Sequence, residues 1–314
     1  MTQNPFKQIL EKNIRGSILY DEPMTRHTTF GIGGPAEYLV YPADKSDLAT
    51  LLKLCTRHHI STHIIGSGSN VLANSSGVNG LVISLKKTFK SLKITQGLQI
   101  ISESGVMLGT MVRQAIRCGI CGLESLIGVP GTVGGALIMN AGAYGAEISK
   151  NLSTATVLTK KGVEKKLMKG QIRFSYRTSS FDPDEILIGA IFNGERGNPD
   201  SIRALRERAS SKRKSSQPLR FRSAGSIFKN PAGEFPAGLL IDQSELKGTR
   251  CGDAEISEKH ANFIVNRHQA TSEDILTLIR KIRAEVYRRN KILLELEIKL
   301  LGFPSSILEE FRHA

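Results

Sequence analysis

Tryptophan is absent from the sequence, and aromatic residues of all kinds make up only 6% of it. The composition therefore gives no sign of the aromatic surface on which nucleic-acid bases stack. No apolar run approaches the roughly 18 residues that a membrane-spanning helix needs. Residues 1–16 mix charged side chains with isolated apolar ones and lack the apolar centre of a signal peptide. We expect a soluble, cytoplasmic protein.

Cysteine is scarce, with only Cys55, Cys118, Cys121 and Cys251 in 314 residues. Four cysteines in a chain of this length do not make a disulfide framework, which indicates a reducing compartment. Cys118 and Cys121 form a C-x-x-C pair, a spacing that also occurs in redox and zinc sites. No second C-x-x-C or paired histidine completes a zinc site. We therefore predict that the cysteines are packing residues and that the protein has no metal site.

Acidic residues are also few, 29 against 43 lysines and arginines, which gives a formal charge of +14. Such a charge attracts polyanions, whether nucleic acid, anionic lipid, or nucleotides and diphosphates. Charge alone does not choose among these partners. A solvated basic surface with no specific partner is the alternative.

Hydrophobic periodicity predicts a mixture of strands and single helices, which favours an α+β fold over a long doubly wound sheet. Helical spacing runs through Ser46–His59 and Met107–Cys118. Strands are predicted at Glu37–Tyr41, His63–Ile65, Leu81–Leu85 and Ile100–Ser102.

The C-terminal third differs in composition. Glycines, an asparagine and a proline punctuate residues 194–199, and a basic stretch reaches Lys214, so we predict a domain boundary near residues 194–215. A helix is predicted from Ser272 to Asn290, with a capping box formed by Thr271 and Asp274. Its apolar stripe is expected to lie in the core; the stripe comprises Ile275, Leu278, Ile279, Ile282 and Val286.

Two glycine-rich segments carry the strongest local signal. The first is Gly66–Leu72, directly after the strand that ends at Ile65, and the second is Gly128–Ala136, followed by Met139–Gly145. Clustered glycines let backbone N–H groups approach a phosphate, although isolated glycine pairs usually form tight turns. Neither segment matches the P-loop or the classical Rossmann pattern. Two such loops favour a long diphosphate cofactor held between two subdomains.

These segments, with further blocks in the same order, resemble the UDP-N-acetylenolpyruvoylglucosamine reductase (UDP-N-acetylmuramate dehydrogenase) family. The similarity covers nearly the whole chain, from His27 to Gly302. Its other blocks are His27–Phe30, Gly33–Ala36, Phe174–Ser179, Ser223–Pro231, Glu258–Asn266 and Leu294–Ile298. The short stretch between Arg177 and Ser226 resembles the second type of the family, which lacks an inserted tyrosine loop.

The resemblance implies an α+β, two-subdomain FAD-binding fold of the vanillyl-alcohol-oxidase-like type, plus a C-terminal α+β substrate domain. The implied bounds are residues 1–80 for the first FAD-binding subdomain, joined by residues 298–314. Residues 81–200 form the second, and residues 201–297 the substrate domain. The protein is expected to be a monomer without a nucleic-acid or membrane partner.

The resemblance also implies an activity. The enzyme is expected to reduce UDP-N-acetylglucosamine-enolpyruvate to UDP-N-acetylmuramate for peptidoglycan synthesis, with FAD as cofactor and NADPH as electron source. The cofactor-binding residues implied are Gly66, Ser67, Gly68, Ser69, Asn70, Val71, Leu72, Pro130, Gly131, Thr132, Gly134, Gly135, Asn140, Gly142 and Ala143.

Three catalytic residues are implied: Ser226 as the proton donor, Arg177 opposite the substrate carboxylate, and Glu297 assisting protonation. Judged alone, each has an ordinary alternative, namely a turn hydroxyl, a surface salt bridge and a solvated carboxylate. Alternation in the run LLELEIKLL predicts that Glu295 and Glu297 share one face of a strand.

Other residues are assigned to the substrate. Tyr176, Lys229 and Asn230 are the implied substrate-binding residues. The cluster Lys212–Lys214 either meets the UDP diphosphate or forms a solvated helix face. His260 and Asn262 are expected to shape the substrate domain, with His260 buried and hydrogen-bonded.

The sequence departs from the family pattern at three places. Gly31 stands where the family usually has Arg or Lys, so a charge contact there is absent or supplied from elsewhere. Arg222 replaces a usual proline before the serine loop, and Glu245 stands where a small residue is common.

Two other functions remain open at this stage. One is a different FAD-dependent oxidoreductase of the same fold, such as an oxidase with FAD attached to histidine; the absence of histidine from the glycine loops counts against that linkage. The other is a basic nucleic-acid-binding protein, which few aromatics and no recognised motif disfavour.

Overall fold

The computed structural model describes residues 5–312. These residues form two compact units, and each unit is built from separate stretches of chain. The first unit contains residues 5–20, 38–67 and 80–213, and the second contains residues 21–37, 68–79 and 214–312. The chain passes from one unit to the other within three of its strands.

The helices of the described residues are short except for two in the C-terminal half. They are α1 (Pro5–Asn13), α2 (Lys45–Arg57), α3 (Leu108–Arg117), α4 (Val133–Ile138), α5 (Pro199–Ser216), α6 (Ala237–Gln243), α7 (Ser272–Asn290) and α8 (Ser305–Glu310). Single 3-10 turns lie at Met24–Arg26, Glu124–Leu126, Ile148–Asn151 and Lys169–Gln171.

The strands are mostly short and belong to several small sheets. In chain order they are β1 (Ser17–Pro23), β2 (Pro35–Tyr41), β3 (Thr62–Ile65), β4 (Val71–Ala73), β5 (Val78–Ser84), β6 (Leu92–Ile94), β7 (Gln99–Glu103), β8 (Ile120–Cys121), β9 (Gly142–Ala143), β10 (Ala146–Glu147), β11 (Leu152–Thr159), β12 (Glu164–Met168), β13 (Phe174–Ser175), β14 (Thr178–Ser179), β15 (Glu185–Asn193), β16 (Glu195–Arg196), β17 (Arg250–Cys251), β18 (Ala254–Ile256), β19 (Ile264–Asn266) and β20 (Lys299–Leu301).

A four-stranded sheet in the order β1-β2-β5-β3 lies mainly in the first unit. Within it β3 and β5 run parallel, with His63 opposite Val82. Residues 81–84 of β5 are all buried, as expected for a central strand covered on both faces. Apolar residues of this sheet pack with α1 and α2 in one core. Asp44 caps α2 by accepting a hydrogen bond from the Asp47 N–H at 2.9 Å.

A second, antiparallel sheet of the first unit has the order β12-β11-β15-β7-β6. Ala155 of β11 lies opposite Ala190 of β15, and Ile101 of β7 lies opposite Ile191. Its core includes the apolar face of α3 and the buried residues of α4. This sheet therefore supports the second glycine-rich segment, which leads into α4.

The second unit combines an antiparallel sheet, β17-β18-β19, with α6 and α7. The stripe of α7 is buried in one core, as predicted, and each such side chain stabilises the fold by about 1.5–3 kcal/mol. Thr271 and Asp274 form the predicted capping box. Strand β20 pairs in parallel with β4, so Lys299 lies opposite Val71.

Most predicted elements are confirmed with boundary shifts of one to three residues. The basic stretch lies within α5, which continues to Ser216. The predicted strand through Glu295 and Glu297 is wrong, because regular pairing begins only at Lys299. Leu296 instead makes an isolated antiparallel bridge with Phe228.

The cysteines correspond only partly to the prediction. Cys55 is buried, and loss of hydration raises the pKa of its thiol to about 12. Cys118 is exposed just after α3, so the packing interpretation is wrong for this residue. Cys121 is half-buried, and its thiol donates to the Glu195 carbonyl.

Within residues 5–312, no helix is both long enough and apolar enough to span a lipid bilayer.

Candidate active site

The first glycine segment turns immediately after β3 and continues into β4. A Cβ added at Gly66 would lie 2.6 Å from the Thr132 Oγ1, so only glycine lets this turn approach the second glycine segment. Gly68 has φ +68°, and a Cβ there would lie 1.9 Å from the His27 carbonyl oxygen. The Ser67 Oγ is buried and has no hydrogen-bond partner among the described residues.

The end of the same segment is anchored within the second unit. The Asn70 Nδ2 donates to the Glu297 carbonyl at 3.0 Å, and the Asn70 carbonyl accepts from the Lys299 N–H at 2.9 Å. Leu72 is fully buried in the core of this unit. Val71 and Leu72 therefore fix the segment in place, while its polar residues lie in the preceding turn.

The second glycine segment turns at Gly131, with φ +133°, and then begins α4. Thr132 caps this helix, and its Oγ1 accepts from the Gly135 N–H at 3.3 Å. A Cβ at Gly134 would lie 2.9 Å from the Ser104 Cβ. Thr132 thus has two roles: it starts α4 and it lies against Gly66 of the first segment.

The chain after α4 carries the next predicted residues. Asn140 is 1% exposed and has φ +42°, an uncommon conformation for any residue but glycine. Its Nδ2 donates to the Ser175 carbonyl at 3.1 Å, whereas its Oδ1 is buried without a partner in the described structure. Gly142 and Ala143 follow in the two-residue strand β9.

Arg177 lies in the two-residue turn of the β13–β14 hairpin. It has φ +56°, and its guanidinium lies 5.0 Å from the centre of the Tyr176 ring. The hairpin is fastened at both strands: Asn140 binds Ser175, and the Ser179 Oγ donates to the Ile138 carbonyl at 2.7 Å. A Cβ at Gly142 would lie 3.5 Å from the Arg177 Nη1, so this glycine leaves room for the guanidinium.

Ser226 is half-buried and follows Gly225, which has φ +80°. The backbone after the serine is bound on two sides. The Ile227 N–H donates to the Asn262 carbonyl at 2.9 Å, and the Ile227 carbonyl accepts from the Glu297 N–H at 2.8 Å. The structure therefore brings the Ser226 loop and the Glu297 backbone together within the second unit.

Lys229 lies in the same loop and is bound to a carboxylate. Its Nζ donates to the Glu295 Oε1, and its backbone N–H donates to the Glu295 carbonyl at 2.9 Å. Desolvation, with a further effect of the Lys229 charge, lowers the pKa of Lys299. Asn230 accepts from the Ala237 N–H at 3.1 Å and so caps the start of α6.

Sequence reasoning did not select Tyr144, and it did not separate Arg213 from its basic neighbours. The Arg213 side chain is half-buried against Gly128, 3.3 Å from the position of an added Cβ. Burial lowers the pKa of Arg213, while Tyr144 raises it. The Lys212 Nζ lies 5.3 Å from the centre of the Tyr144 ring. Only tertiary packing distinguishes these residues from solvated helix residues.

The first two departures from the family pattern meet in the second unit. A Cβ at Gly31 would lie 2.3 Å from the Arg222 Nη1 and 2.8 Å from its Cδ, so the arginine side chain covers this glycine. Glu245, the third departure, has φ +59° and lies 3.6 Å from an Arg289 nitrogen.

Comparison with known proteins decides the family. Residues 217–301 match the model of the UDP-N-acetylenolpyruvoylglucosamine reductase C-terminal domain, and residues 36–167 match an FAD binding domain. UDP-N-acetylenolpyruvoylglucosamine reductase 2 of Symbiobacterium thermophilum is 40% identical over 302 residues, 95% of this chain and 97% of the relative. The reductase of Carboxydothermus hydrogenoformans is 38% identical, over 96% of this chain and 100% of its own. The crystal structure of the reductase from Thermus caldophilus, 33% identical, has a TM-score of 0.79 and covers 92% of this chain and 99% of that chain.

The chain belongs to the UDP-N-acetylenolpyruvoylglucosamine reductase family.

The predicted family and α+β class are thus confirmed, and the reductase is an FAD-dependent oxidoreductase. Family membership favours this enzyme over the nucleic-acid-binding alternative and over an oxidase with FAD attached to histidine.

The two glycine segments of the reductase fit a polar cofactor such as FAD. Both segments lack charged residues, and their backbone comes close enough to its surroundings that a Cβ would collide at Gly66, Gly68 and Gly134. Two buried polar atoms, the Ser67 Oγ and the Asn140 Oδ1, lack partners within residues 5–312. Buried polar groups are rarely left unsatisfied, so these atoms are suited to hydrogen bonds with a bound dinucleotide.

Proposed function

We propose that this reductase converts UDP-N-acetylglucosamine-enolpyruvate to UDP-N-acetylmuramate, the precursor-forming reduction of peptidoglycan synthesis, with NADPH as electron source. The observation that supports the proposal is the hydrogen bond from the Glu297 N–H to the Ile227 carbonyl, because it holds the segment that carries Glu297 beside the loop that carries Ser226. When bound, FAD supplies hydride transfer from NADPH to the vinyl carbon of the substrate. The protein must supply the proton and the charge stabilisation.

Ser226 is the proposed proton donor. Hydride addition to the vinyl carbon leaves negative charge on the adjacent carbon, delocalised into the pyruvyl carboxylate. That carbon is a strong enough base to take a proton from a hydroxyl held within hydrogen-bond distance. The half-buried position of Ser226 and the two backbone hydrogen bonds at Ile227 support a fixed hydroxyl of this kind.

Glu297 is proposed to assist protonation from the neighbouring segment of chain. Its backbone N–H is bound to Ile227, so the residue is held beside the loop that carries Ser226. Glu295, two residues earlier, is committed to Lys229. The family resemblance, which assigns Glu297 rather than Glu295 to the reaction, supports this role.

Arg177 is proposed to bind the pyruvyl carboxylate and to stabilise the charge that develops there. A planar guanidinium makes paired, charge-assisted hydrogen bonds with carboxylates. The left-handed backbone of Arg177 supports this role, because strained residues persist where surrounding structure holds them for a function. Asn140 and Ser179 are the residues that hold the hairpin.

The remaining assignments concern binding. Tyr176, Lys229 and Asn230 are proposed substrate contacts, and the Lys229 ammonium group, which also pairs with Glu295, is proposed to act electrostatically. We propose Arg213, rather than Lys212 or Lys214, as the cation of the α5 cluster that meets the UDP diphosphate, because its guanidinium is desolvated. A desolvated cation gains more from an anionic ligand than a hydrated one.

The domain assignment is also a proposal. Residues 1–80, with 298–314, and residues 81–200 are taken as the FAD-binding subdomains, and residues 201–297 as the substrate domain. We propose a cytoplasmic monomer that binds nucleotides and sugar nucleotides and no nucleic acid.

Anaerobic titration of the purified protein tests the function directly. The flavin absorbance should bleach on addition of NADPH and recover on addition of UDP-N-acetylglucosamine-enolpyruvate. UDP-N-acetylglucosamine, which lacks the enolpyruvyl group, is the matched control and should leave the flavin reduced. A protein without flavin, or reduced flavin that the enolpyruvyl substrate does not reoxidise, contradicts the proposal.

A further inference from the structure

Arg222 presents a cation that no residue described by the structure neutralises. Its residue is exposed, and its guanidinium has no carboxylate or other hydrogen-bond partner among the described residues. The side chain nevertheless lies across Gly31, with its Cδ, Nη1 and Cζ all within 3.1 Å of where a Cβ would be. Because the Arg222 side chain packs against Gly31, its guanidinium is held in a defined position.

The backbone on both sides of this contact is held by one buried residue, Asn266. The Asn266 Nδ2 donates to the Phe30 carbonyl at 2.9 Å, directly before Gly31, and the Asn266 N–H donates to the Arg222 carbonyl at 2.9 Å. Asn266 is 4% exposed, so water does not compete for these bonds. The apposition of Arg222 and Gly31 is therefore built into the fold of the second unit.

Thr29 connects the backbone next to Arg222 with the first glycine segment. The Thr29 Oγ1 donates to the Ser223 carbonyl at 2.7 Å, and its backbone N–H donates to the Gly68 carbonyl at 3.1 Å. Arg222 directly precedes Ser223, which is bound by Thr29. Thr29 also binds Gly68 of the proposed cofactor loop. Ser226 lies four residues after Arg222 in the chain.

The first glycine segment has no charge of its own. Gly66–Leu72 contains only neutral residues, whereas a dinucleotide diphosphate carries two negative charges. Backbone N–H groups and hydroxyls give such a group neutral donors, and a guanidinium adds charge and paired donors.

We infer that Arg222 is a cofactor-binding residue whose guanidinium, packed on Gly31, binds the diphosphate of FAD. This inference rests on the proposed assignment of the glycine segments to that diphosphate. On this inference, Arg222 can take up its binding position only because residue 31 is glycine and has no side chain.

The test compares three flavins on the protein freed of its cofactor: FAD, FMN with one phosphate, and riboflavin with none. Flavin fluorescence quenching gives each affinity without any turnover. Arg222→Gln should weaken FAD binding by about ten- to hundredfold, because a lost charge-assisted hydrogen bond has this effect. Riboflavin binding should stay within twofold of wild type, and the salt dependence of FAD binding should become shallower.

A second pair of variants asks whether charge at this place is sufficient. In the Arg222→Gln background, Gly31→Arg returns a guanidinium to the same space, and Gly31→Ala adds only the strain of a side chain at φ +64°. Gly31→Arg should recover most of the lost FAD affinity, while Gly31→Ala should not. Circular dichroism and thermal melting of all variants identify any that fail to fold.

The outcomes separate this inference from the proposal on which it rests. If wild-type protein binds riboflavin as tightly as FAD, no diphosphate is recognised and the assignment of the glycine segments fails. If wild type prefers FAD strongly and Arg222→Gln keeps that preference, the inference about Arg222 alone is overturned. An unchanged FAD affinity with a raised KM for the enolpyruvyl substrate also overturns it, since the anion would then belong to the substrate.

Discussion

Asn262 binds the backbone of Phe228 through both ends of its side-chain amide. The Asn262 Nδ2 donates to the Phe228 carbonyl at 2.8 Å, and its Oδ1 accepts from the Phe228 N–H at 2.9 Å. Asn262 is 3% exposed, so both bonds are shielded from water. Since Phe228 lies two residues after Ser226, a side chain distant in sequence sets the conformation of the proposed catalytic loop.

Replacing this residue should cost both stability and activity. Asn262→Ala leaves two buried backbone groups of Phe228 without partners, and we expect a loss of about 2–4 kcal/mol in the free energy of unfolding, measured by urea denaturation. Asn13→Ala, which removes an exposed hydrogen bond to the Ile9 carbonyl, is the control and should cost less than about 0.5 kcal/mol. Equal losses in the two variants would contradict the anchoring role.

Ser226→Ala should separate the two half-reactions. Reduction of the flavin by NADPH needs no proton from Ser226 and should proceed at nearly the wild-type rate. Reoxidation by the enolpyruvyl substrate should slow by about 10²–10⁴-fold, the usual contribution of a general acid. Stopped-flow absorbance measures each step, and the exposed Ser305→Ala serves as control. Equal reoxidation rates in Ser226→Ala and wild type would remove this serine from the mechanism.

Sequence patterns predicted those features that depend on neighbouring residues. The spacing of Ile275, Leu278 and Ile282 identified the buried face of α7, and Thr271 and Asp274 identified its first turn. Helical periodicity and capping are local properties, so they can be read from one segment. The glycine segments were likewise visible because their composition is unusual over seven and nine residues.

Features that depend on long-range contacts were not predictable. The alternation around Glu297 predicted a strand, but the segment pairs with the Ser226 loop through single hydrogen bonds. Arg177, with its left-handed backbone, lies in a hairpin held by Asn140 and Ile138, which are remote in sequence and bind Ser175 and Ser179. Gly31 and Arg222 each departed from the family pattern, yet only the fold reveals that one covers the other.

Gly68→Ala should prevent correct folding of the first glycine segment. The added Cβ would lie 1.9 Å from the His27 carbonyl oxygen, and φ +68° is itself unfavourable for alanine. We expect a loss of about 2–4 kcal/mol in stability together with most of the bound flavin. Gly170→Ala is the matched control, since nothing lies within 4 Å of its added Cβ, and it should retain both. Thermal melting and the flavin content after purification measure the two effects.

Arg177→Gly should raise the stability of the protein but lower its activity. Glycine adopts φ +56° without strain, so we expect a gain of about 0.5–1 kcal/mol in the free energy of unfolding. Without the guanidinium, turnover should fall by at least about a hundredfold. Lys291→Gly, at φ +59° after α7, is the matched control and should gain stability with unchanged kcat. A stabilised Arg177→Gly variant with normal kcat would show that the strained arginine has no part in catalysis.

His260 should make the second unit less stable in mild acid. Burial lowers the pKa of this half-buried imidazole below its ordinary value of about 6.5, and its Nδ1 accepts from the Asn262 N–H at 3.2 Å. Between the folded and unfolded pKa values the unfolded chain binds more protons. Stability contributed by neutral His260 is therefore full above about pH 7.5, falls as the pH drops through about 6.5, and levels off below the folded pKa.

His260→Gln keeps an acceptor for Asn262 but cannot be protonated, so its free energy of unfolding should decline less between pH 7.5 and pH 5 than that of wild type. Urea denaturation at the two pH values measures this difference, and the exposed His268→Gln should follow the wild-type decline. If His260→Gln loses as much stability as wild type, the acid sensitivity arises at other groups and the Asn262 anchor of the Ser226 loop does not depend on the charge of His260.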